Sequence, residues 1–177
     1  MNTKAKLTIK DIALIGLMVA IIEVCKVIMA HIPNVELTTF WLIMFTLFLG
    51  KRVYYAIPVF ILIEGAMYGF GLWWVMYLYL WPLLVLVTNL FKKDNSVLTF
   101  SMISGIFGLL FGFFGAIPYI FVGTFEGGLA NGFKVATAWW VAGIPWDLVH
   151  GISNFILMLI LYHPIANVMK MTRKYTE

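Results

Sequence analysis

The chain has 177 residues, of which 63% are hydrophobic and 11% charged, with a formal net charge of +4. So few polar residues cannot cover the surface of a soluble globule, and the apolar runs are long enough to cross a bilayer. The composition therefore predicts an integral membrane protein. The single cysteine, Cys25, excludes an internal disulfide and a cysteine metal cluster.

Six apolar runs predict an all-α membrane protein, a compact bundle of six transmembrane helices in one domain of residues 1–177. The predicted spans are residues 9–31, 38–50, 53–71, 72–91, 97–122 and 138–169. The second run is short for a bilayer, so we expect that helix to be tilted, partly interfacial, or extended by the residues before it.

Basic residues cluster between these runs, which indicates topology rather than a nucleic-acid-binding patch. Ten of the twelve Lys and Arg residues share one side if both termini are cytoplasmic: Lys4, Lys6, Lys10, Lys51, Arg52, Lys92, Lys93, Lys170, Arg173 and Lys174. The exceptions are Lys26, within the first run, and Lys134, on the outer side. The positive-inside rule therefore predicts cytoplasmic N- and C-termini.

The first run contains three small residues, Ala13, Gly16 and Ala20, at spacings that allow another helix to approach closely. Packing inside the bundle is the alternative use of these residues. Glu23 and Lys26 follow at a spacing of three, which favours an ion pair between them over a ligand contact.

Polar residues of the outer loop between the first two runs, Asn34 and Glu36, are candidates for closing a pocket mouth. An ordinary solvated loop is the alternative. Glu64 lies deep in the third run, where an unpaired carboxylate is costly. We expect it to be protonated, paired, or directed into a polar cavity.

Aromatic residues open the fourth run, and Trp74, Tyr77 and Trp81 fall on one helical face. They fit either a membrane-interface belt or a stacking wall for a ring-containing ligand. The fifth run carries a glycine stripe that predicts close helix packing, made of Gly105, Gly108, Gly112 and Gly115. Residues 124–132 are glycine-rich and predict a flexible outer lid.

The last run holds the densest set of polar residues. Pro145 fits the first turn of a helix that runs to about Met169. Asp147, His150 and Asn154 then lie within about 60° of one another around that helix. Polar groups in hydrocarbon are costly unless they face a cavity or partners, so this face is a candidate binding site. Three indoles, those of Trp139, Trp140 and Trp146, are expected nearby.

At these residues the sequence resembles a family. A basic N-terminus, a small-residue first helix, Pro-Asn-Val-Glu-Leu-Thr-Thr at 33–39 and Gly-Ile-Pro-Trp-Asp-Leu-Val-His-Gly-Ile-Ser-Asn at 143–154 are similar to the S components of energy-coupling factor (ECF) transporters. The resemblance extends over essentially the whole chain. It is strongest at residues 34–39 and 143–154.

The resemblance implies a substrate-binding subunit in the plasma membrane of a prokaryote, without enzymatic activity of its own. Such a subunit captures a vitamin outside the cell, docks on a transmembrane T component driven by two ATP-hydrolysing subunits, and topples to release its solute inside. It implies that Ala13, Gly16 and Ala20 form the docking surface, although Gly16 departs from the family's Ala-x-x-x-Ala pattern. The chain has no Walker motif, so the partners must bind ATP.

The overall likeness favours cobalamin as the solute, with pyridoxine, pantothenate or a thiamine precursor as alternatives. No cofactor or metal is expected. The candidate solute-binding residues are Asn34, Glu36, Glu64, Trp74, Tyr77, Trp139, Trp146, Asp147, His150 and Asn154.

Two other classes of protein fit parts of the pattern. A stand-alone secondary transporter or channel would more often show repeated halves and broken helices at matching positions. An intramembrane hydrolase could combine Asp147 and His150 with Glu64, but the chain lacks a zinc-binding H-E-x-x-H pair and a nucleophile beside a base. Both alternatives are therefore less favoured than the S component.

Overall fold

The computed structural model describes residues 7–94 and 96–176, without the side chains of residues 172–176. Lys4 and Lys6, and the side chains of Arg173 and Lys174, lie outside the described part of the chain. The described residues form helices and contain no strand, which confirms the all-α prediction.

The first four helices are α1 Ile9–Met29, α2 Thr38–Leu49, α3 Val53–Tyr68 and α4 Leu72–Leu90, with a 3₁₀ turn at Gly50–Arg52. The rest of the chain forms α5 Val97–Leu109, α6 Phe111–Gly115 and α7 Ile117–Thr176. Gly127 and Gly128 interrupt α7 with non-helical backbone, and Gly128 has a φ of 82° that favours glycine. We call residues 117–126 and 129–176 the two arms of α7.

Four helical stretches are long and apolar enough to cross a membrane. They are Ile9–Met29, Thr38–Tyr68, Leu72–Leu90 and Phe111–Met171, and Val97–Leu109 is a shorter apolar helix. These findings confirm a membrane-type helical protein at the level of length and composition.

Contacts at opposite ends of α1 and α3 fix the relative directions of these two helices. Arg52 Nε lies 2.6 Å from Asp11 Oδ1 at one end, and Lys26 pairs with Glu64 at the other. The two helices are therefore parallel. The Asp11 carboxylate also accepts a hydrogen bond from the Thr8 backbone amide, and the Thr8 hydroxyl oxygen accepts one from the Asp11 backbone amide. This reciprocal pair is a capping box at the start of α1.

The α4 helix runs antiparallel to α3. Trp74 Nε1 donates to the Ile61 carbonyl oxygen at 2.8 Å, and Asn89 Nδ2 donates to the Tyr54 hydroxyl at 2.9 Å. The beginning of α4 therefore lies beside the end of α3. The bundle interior between the helices is filled by large buried side chains, among them Phe40, Phe45, Phe60, Phe100 and Met158.

The chain from α5 to the second arm of α7 is an antiparallel hairpin packed along glycines. A Cβ built on Gly108 would lie 2.8 Å from the Gly151 Cα, and one on Gly105 would lie 3.0 Å from the Phe155 Cβ. Near the apex, Asn131 Nδ2 donates to the Gly123 carbonyl oxygen at 2.8 Å. The prediction that the glycine stripe mediates close packing is confirmed.

Two predictions about this region are wrong. Residues 124–132 are not a flexible loop, because helix continues on both sides of a tight turn at Gly127 and Gly128. Pro145 is not in the first turn of a helix, since the second arm begins shortly after Gly128 and runs through it. A proline removes one backbone donor from a helix, a loss that membrane helices tolerate when neighbouring groups satisfy the freed carbonyl.

Candidate functional site

A cavity of about 440 Å³ opens where α1 and α3 end and α2 and α4 begin. Its walls come from the residues that connect α1 to α2, from these four helices, from α6 and from the second arm of α7. Most of the lining is apolar or aromatic, with a few charged groups. The charged and histidine side chains of the lining are Lys26, Glu36, Glu64 and His150.

The loop between α1 and α2 covers one side of the cavity, and Glu36 anchors it. The Glu36 carboxylate accepts hydrogen bonds from the Thr38 and Thr39 backbone amides and from Thr39 Oγ1, the last at 2.5 Å. These are the free amides at the start of α2, where a negative charge is also favoured by the helix dipole. Asn34 turns the loop with a φ of 56°.

The same loop is tied to the last helix. Glu36 Oε1 lies 3.1 Å from His150 Nε2, and Ser153 Oγ donates to the Asn34 carbonyl oxygen at 3.3 Å. Burial alone would raise the pKa of Glu36, but the hydrogen bond and charge of His150 and the bonds from Thr39 and Thr38 lower it to about 2. The loop therefore carries an ionised carboxylate at neutral pH.

A second polar group lies deeper, at the ends of α1 and α3. Lys26 pairs with Glu64 Oε2 rather than forming the predicted ion pair with Glu23. Its Nζ also lies 5.4 Å from the ring centroids of Phe60 and Tyr77. Glu64 is therefore both paired and directed to a cavity, two of the three possibilities that the sequence left open.

Aromatic side chains of α4 form one wall. Trp73 contacts Tyr77 with a centroid separation of 5.3 Å, and Tyr77 contacts Trp81 at 5.2 Å. Phe111 of α6 continues this wall, 5.7 Å from Trp81 and 5.0 Å from His150. A wall of rings with a few directed polar groups is the usual construction of a small-molecule site.

Of the ten candidate solute-binding residues, half line the cavity: Asn34, Glu36, Glu64, Tyr77 and His150. Three tryptophans lie elsewhere. Trp74 packs on Phe70 at 5.1 Å, Trp139 stacks on Tyr119 at 4.7 Å, and Trp146 is 54% exposed. Trp73 lines the cavity in place of Trp74. The residues of the wall, Trp73, Tyr77 and Trp81, are four apart along α4, whereas the predicted face began at Trp74, three residues before Tyr77.

Asp147 and Asn154 are also outside the cavity lining, although they share the buried face predicted for them. Asp147 Oδ1 accepts a hydrogen bond from the Gly112 backbone amide at 3.0 Å, where the chain passes from α5 into α6. His150 lies about 60° from Asp147 and about 40° from Asn154 around the helix. That offset turns His150 toward Glu36 while Asp147 faces the α5–α6 junction.

Several lining residues were not among the ten candidates, including Lys26, Trp73, Trp81 and Phe111, although Trp81 was on the predicted aromatic face. The i, i+4 spacing of Trp73, Tyr77 and Trp81 is the signal that would have found two of them. In the described part of the chain no cluster of three or more His, Cys, Asp or Glu side chains is arranged to hold a metal ion. Glu64 and Asp147 have separate partners, on α1 and at the α5–α6 junction.

No protein-family model, curated protein or solved structure matches the chain. A function for the chain is therefore inferred from the geometry of the cavity.

Proposed function

We propose that the chain is the substrate-binding S component of an ECF-type importer in a prokaryotic plasma membrane. The observation that carries this proposal is the cavity at one end of an apolar helical bundle, lined by rings and a few polar groups. Such a cavity suits capture of a small solute. Its position beneath the loop of residues 30–37 supports loading from that end.

The surface of α1 supports docking on a T component. Ala13, Gly16 and Ala20 all lie on its exposed side, and a Cβ on Gly16 would meet nothing within 4 Å. Small residues on an open helix face allow a partner helix to come close in a membrane. The two ATP-hydrolysing subunits would then supply the energy for release.

The proposed topology has six spans with both termini cytoplasmic. Thr38–Tyr68 has 31 residues, more than one crossing needs, and is divided into the short helices α2 and α3. Phe111–Met171 has 61 residues, enough for more than one crossing. The first of these stretches contains Gly50, with a φ of 60°, followed by Lys51 and Arg52. These two cations, near Asp11, lie at the end of α1 opposite the cavity, so the positive-inside rule would put the cavity outside.

The size of the cavity bears on the solute. Pockets for drug-sized molecules span about 300–1,000 Å³. At about 440 Å³, the cavity favours pyridoxine, pantothenate or a thiamine precursor, because a corrinoid would extend far beyond it. Within the proposed function we therefore prefer a vitamin with one or two small rings to cobalamin.

Native mass spectrometry of the gently purified chain tests the proposal. We expect a retained molecule of vitamin size, and loss of that mass when Tyr77→Ala removes the middle ring of the wall. Trp146→Ala, which alters an exposed indole outside the cavity, is the matched control and should keep it. Transport by the reconstituted chain without any partner would contradict the proposal and favour a stand-alone transporter.

A further inference from the structure

The ionisable groups where α1 and α3 end balance one another. Glu64 accepts a hydrogen bond from Lys26, and Glu23 is hydrogen-bonded to Glu64. The buried oxygens of Glu23 and the Oε1 atom of Glu64 have no donor elsewhere in the described part of the chain. The two carboxyl groups therefore share a proton with each other. One negative charge then remains for one ammonium group, and these carboxyl groups require nothing from a solute.

Lys26 is the charged group of this corner that is open to the cavity. Its side chain lines the cavity and is 22% exposed, whereas that of Glu64 is 2% exposed. An ammonium group has three N–H donors, and Glu64 Oε2 accepts one of them. No other oxygen acceptor for the Lys26 ammonium is found among the described residues. Because donors of a partly buried charge are costly to leave without acceptors, a solute oxygen at this point is favoured.

The aromatic rings around Lys26 hold the ammonium group without replacing such an oxygen. Its Nζ lies 5.4 Å from the ring centroids of Phe60 and Tyr77 and 6.0 Å from that of Tyr68. Ring faces attract an ammonium group, but as hydrogen-bond acceptors they are weaker than a carboxylate. The Tyr77 hydroxyl has no hydrogen-bond partner among the described residues, so it can donate to the same solute.

The acidic group of the opposite wall is already satisfied by the protein. Glu36 accepts hydrogen bonds from the Thr38 and Thr39 backbone amides and from the Thr39 hydroxyl. Its Oε1 also lies 3.1 Å from His150 Nε2. These partners occupy most of the lone pairs of one carboxylate. Glu36 therefore requires no donor from the solute, and the open charge of the cavity is the positive charge of Lys26.

We propose that the cavity binds the carboxylate of a small organic acid. Lys26 donates charge-assisted hydrogen bonds to that carboxylate, and the aromatic wall of α4 contacts the rest of the solute. The inference rests on the proposed function, because it names the chemical class of the solute that this same cavity takes up. Pantothenate is a carboxylic acid, whereas pyridoxine carries no carboxylate.

Calorimetric titration of the purified chain with matched acids and neutral analogues tests this assignment. Pantothenate is compared with panthenol, and nicotinate with nicotinamide, since within each pair only the carboxylate is replaced. We expect an acid to bind at least about tenfold more tightly than its neutral analogue, as a hydrogen bond to a charged group provides. Equal or tighter binding of the neutral analogues would overturn the inference and leave the proposed function intact.

Substitution of Lys26 tests the contact itself. Lys26→Met should abolish the preference for the acid, and Lys26→Arg, which keeps the positive charge, should retain a preference. Lys134→Met removes an exposed ammonium group from the second arm of α7 and is the charge-matched control, so it should keep the full preference. A preference that survives Lys26→Met unchanged would overturn the inference.

A second variant protects this test against misfolding. Lys26→Met leaves the buried Glu64 without its cation, a change that is strongly destabilising in proteins. The double variant Lys26→Met/Glu64→Gln removes both charges, so it should fold and likewise show no preference for the acid. If neither variant folds, the matched pairs on the unmodified chain still decide.

A non-nutrient acid separates the inference from the proposed function. If benzoate binds more tightly than benzamide and depends on Lys26 while no vitamin binds, the carboxylate site stands and the proposed vitamin uptake fails. If no acid binds, the inference is overturned. A vitamin-sized molecule retained in the native mass spectrum would in that case still support the proposed function.

Discussion

Glu36 is the residue on which the cavity loop depends, because it both caps α2 and contacts His150. We predict that Glu36→Gln lowers the free energy of unfolding at pH 7 by about 1–3 kcal/mol, through loss of charged hydrogen bonds. The effect should appear as a lower unfolding temperature in detergent. Solute affinity should fall with it, since the loop forms one cavity wall.

The effect should depend on pH in a defined direction. The pKa of Glu36 is lowered from 4.5 to about 2, so its stabilisation is fully present above pH 4.5 and is lost as the pH falls toward 2. The difference in unfolding temperature between the two proteins should therefore shrink below pH 4.5. A constant difference down to pH 2.5 would contradict the assignment. Glu126→Gln is the control that removes an exposed carboxylate.

The sequence predicts that polar residues within apolar runs are buried, but it does not predict which neighbouring element each side chain faces. Glu64, Asp147, His150 and Asn154 are all at least 92% buried, as the cost of polar groups in hydrocarbon requires. A rotation of about 40–60° around one helix decides whether a side chain meets the cavity or the neighbouring helix. Sequence spacing gives only the angles between side chains around the helix, so it could not show that His150 faces the cavity and Asp147 does not.

At the scale of helices, the glycine contacts between α5 and the second arm of α7 predict a specific sensitivity. Gly108→Ala places a Cβ 2.8–2.9 Å from backbone atoms of Gly151 and His150, which cannot rotate away. Overpacking of this kind typically costs about 1–3 kcal/mol. We expect a clear drop in the unfolding temperature of the detergent-solubilised chain.

Gly16→Ala is the matched control on α1. A Cβ at Gly16 meets nothing within 4 Å, and alanine favours helix over glycine by about 1 kcal/mol. This variant should unfold at the same or a slightly higher temperature. If Gly108→Ala and Gly16→Ala lowered the unfolding temperature equally, the backbones of α5 and the second arm of α7 would not be in close contact at Gly108.

Helix identity followed from the sequence more closely than helix ends did. The predicted spans at 9–31 and 72–91 correspond to α1 and α4 within two residues at each end. The hairpin apex was missed because Gly127, Gly128 and Gly132 resemble a loop in composition. In the structure only the first two break the helix, while Gly132 lets the arms approach closely next to Thr124.

For the whole molecule, the distribution of charge predicts orientation in the membrane. In a Cys25→Ser background, Lys93→Cys should react with a membrane-impermeant maleimide only after the cells are permeabilised. Asn131→Cys, near the hairpin apex, should react in intact cells. The reason is that cations near membrane helices are retained in the cytoplasm. Labelling of both positions from outside would contradict the six-span topology.

The positions of the two functional surfaces follow from the bundle as a whole. The α1 helix presents Lys26 to the cavity and Gly16 to an exposed side about 80° away around the helix. One helix therefore links the proposed solute site with the proposed docking face. Sequence spacing indicated a small-residue face, but only the packing of α1 against α3 leaves that face open.

A bulky residue on this face should separate docking from folding. Gly16→Leu adds a side chain where the chain itself has open space, so stability and solute binding should be unchanged. The same side chain prevents a partner helix from approaching closely, so copurification with coexpressed T component and ATPases should be lost. Gly143→Leu, also at a glycine with nothing within 4 Å but on the second arm of α7, should still copurify. If the Gly16 variant assembles normally, the partner must dock on another face, and α1 would contribute only to the solute site.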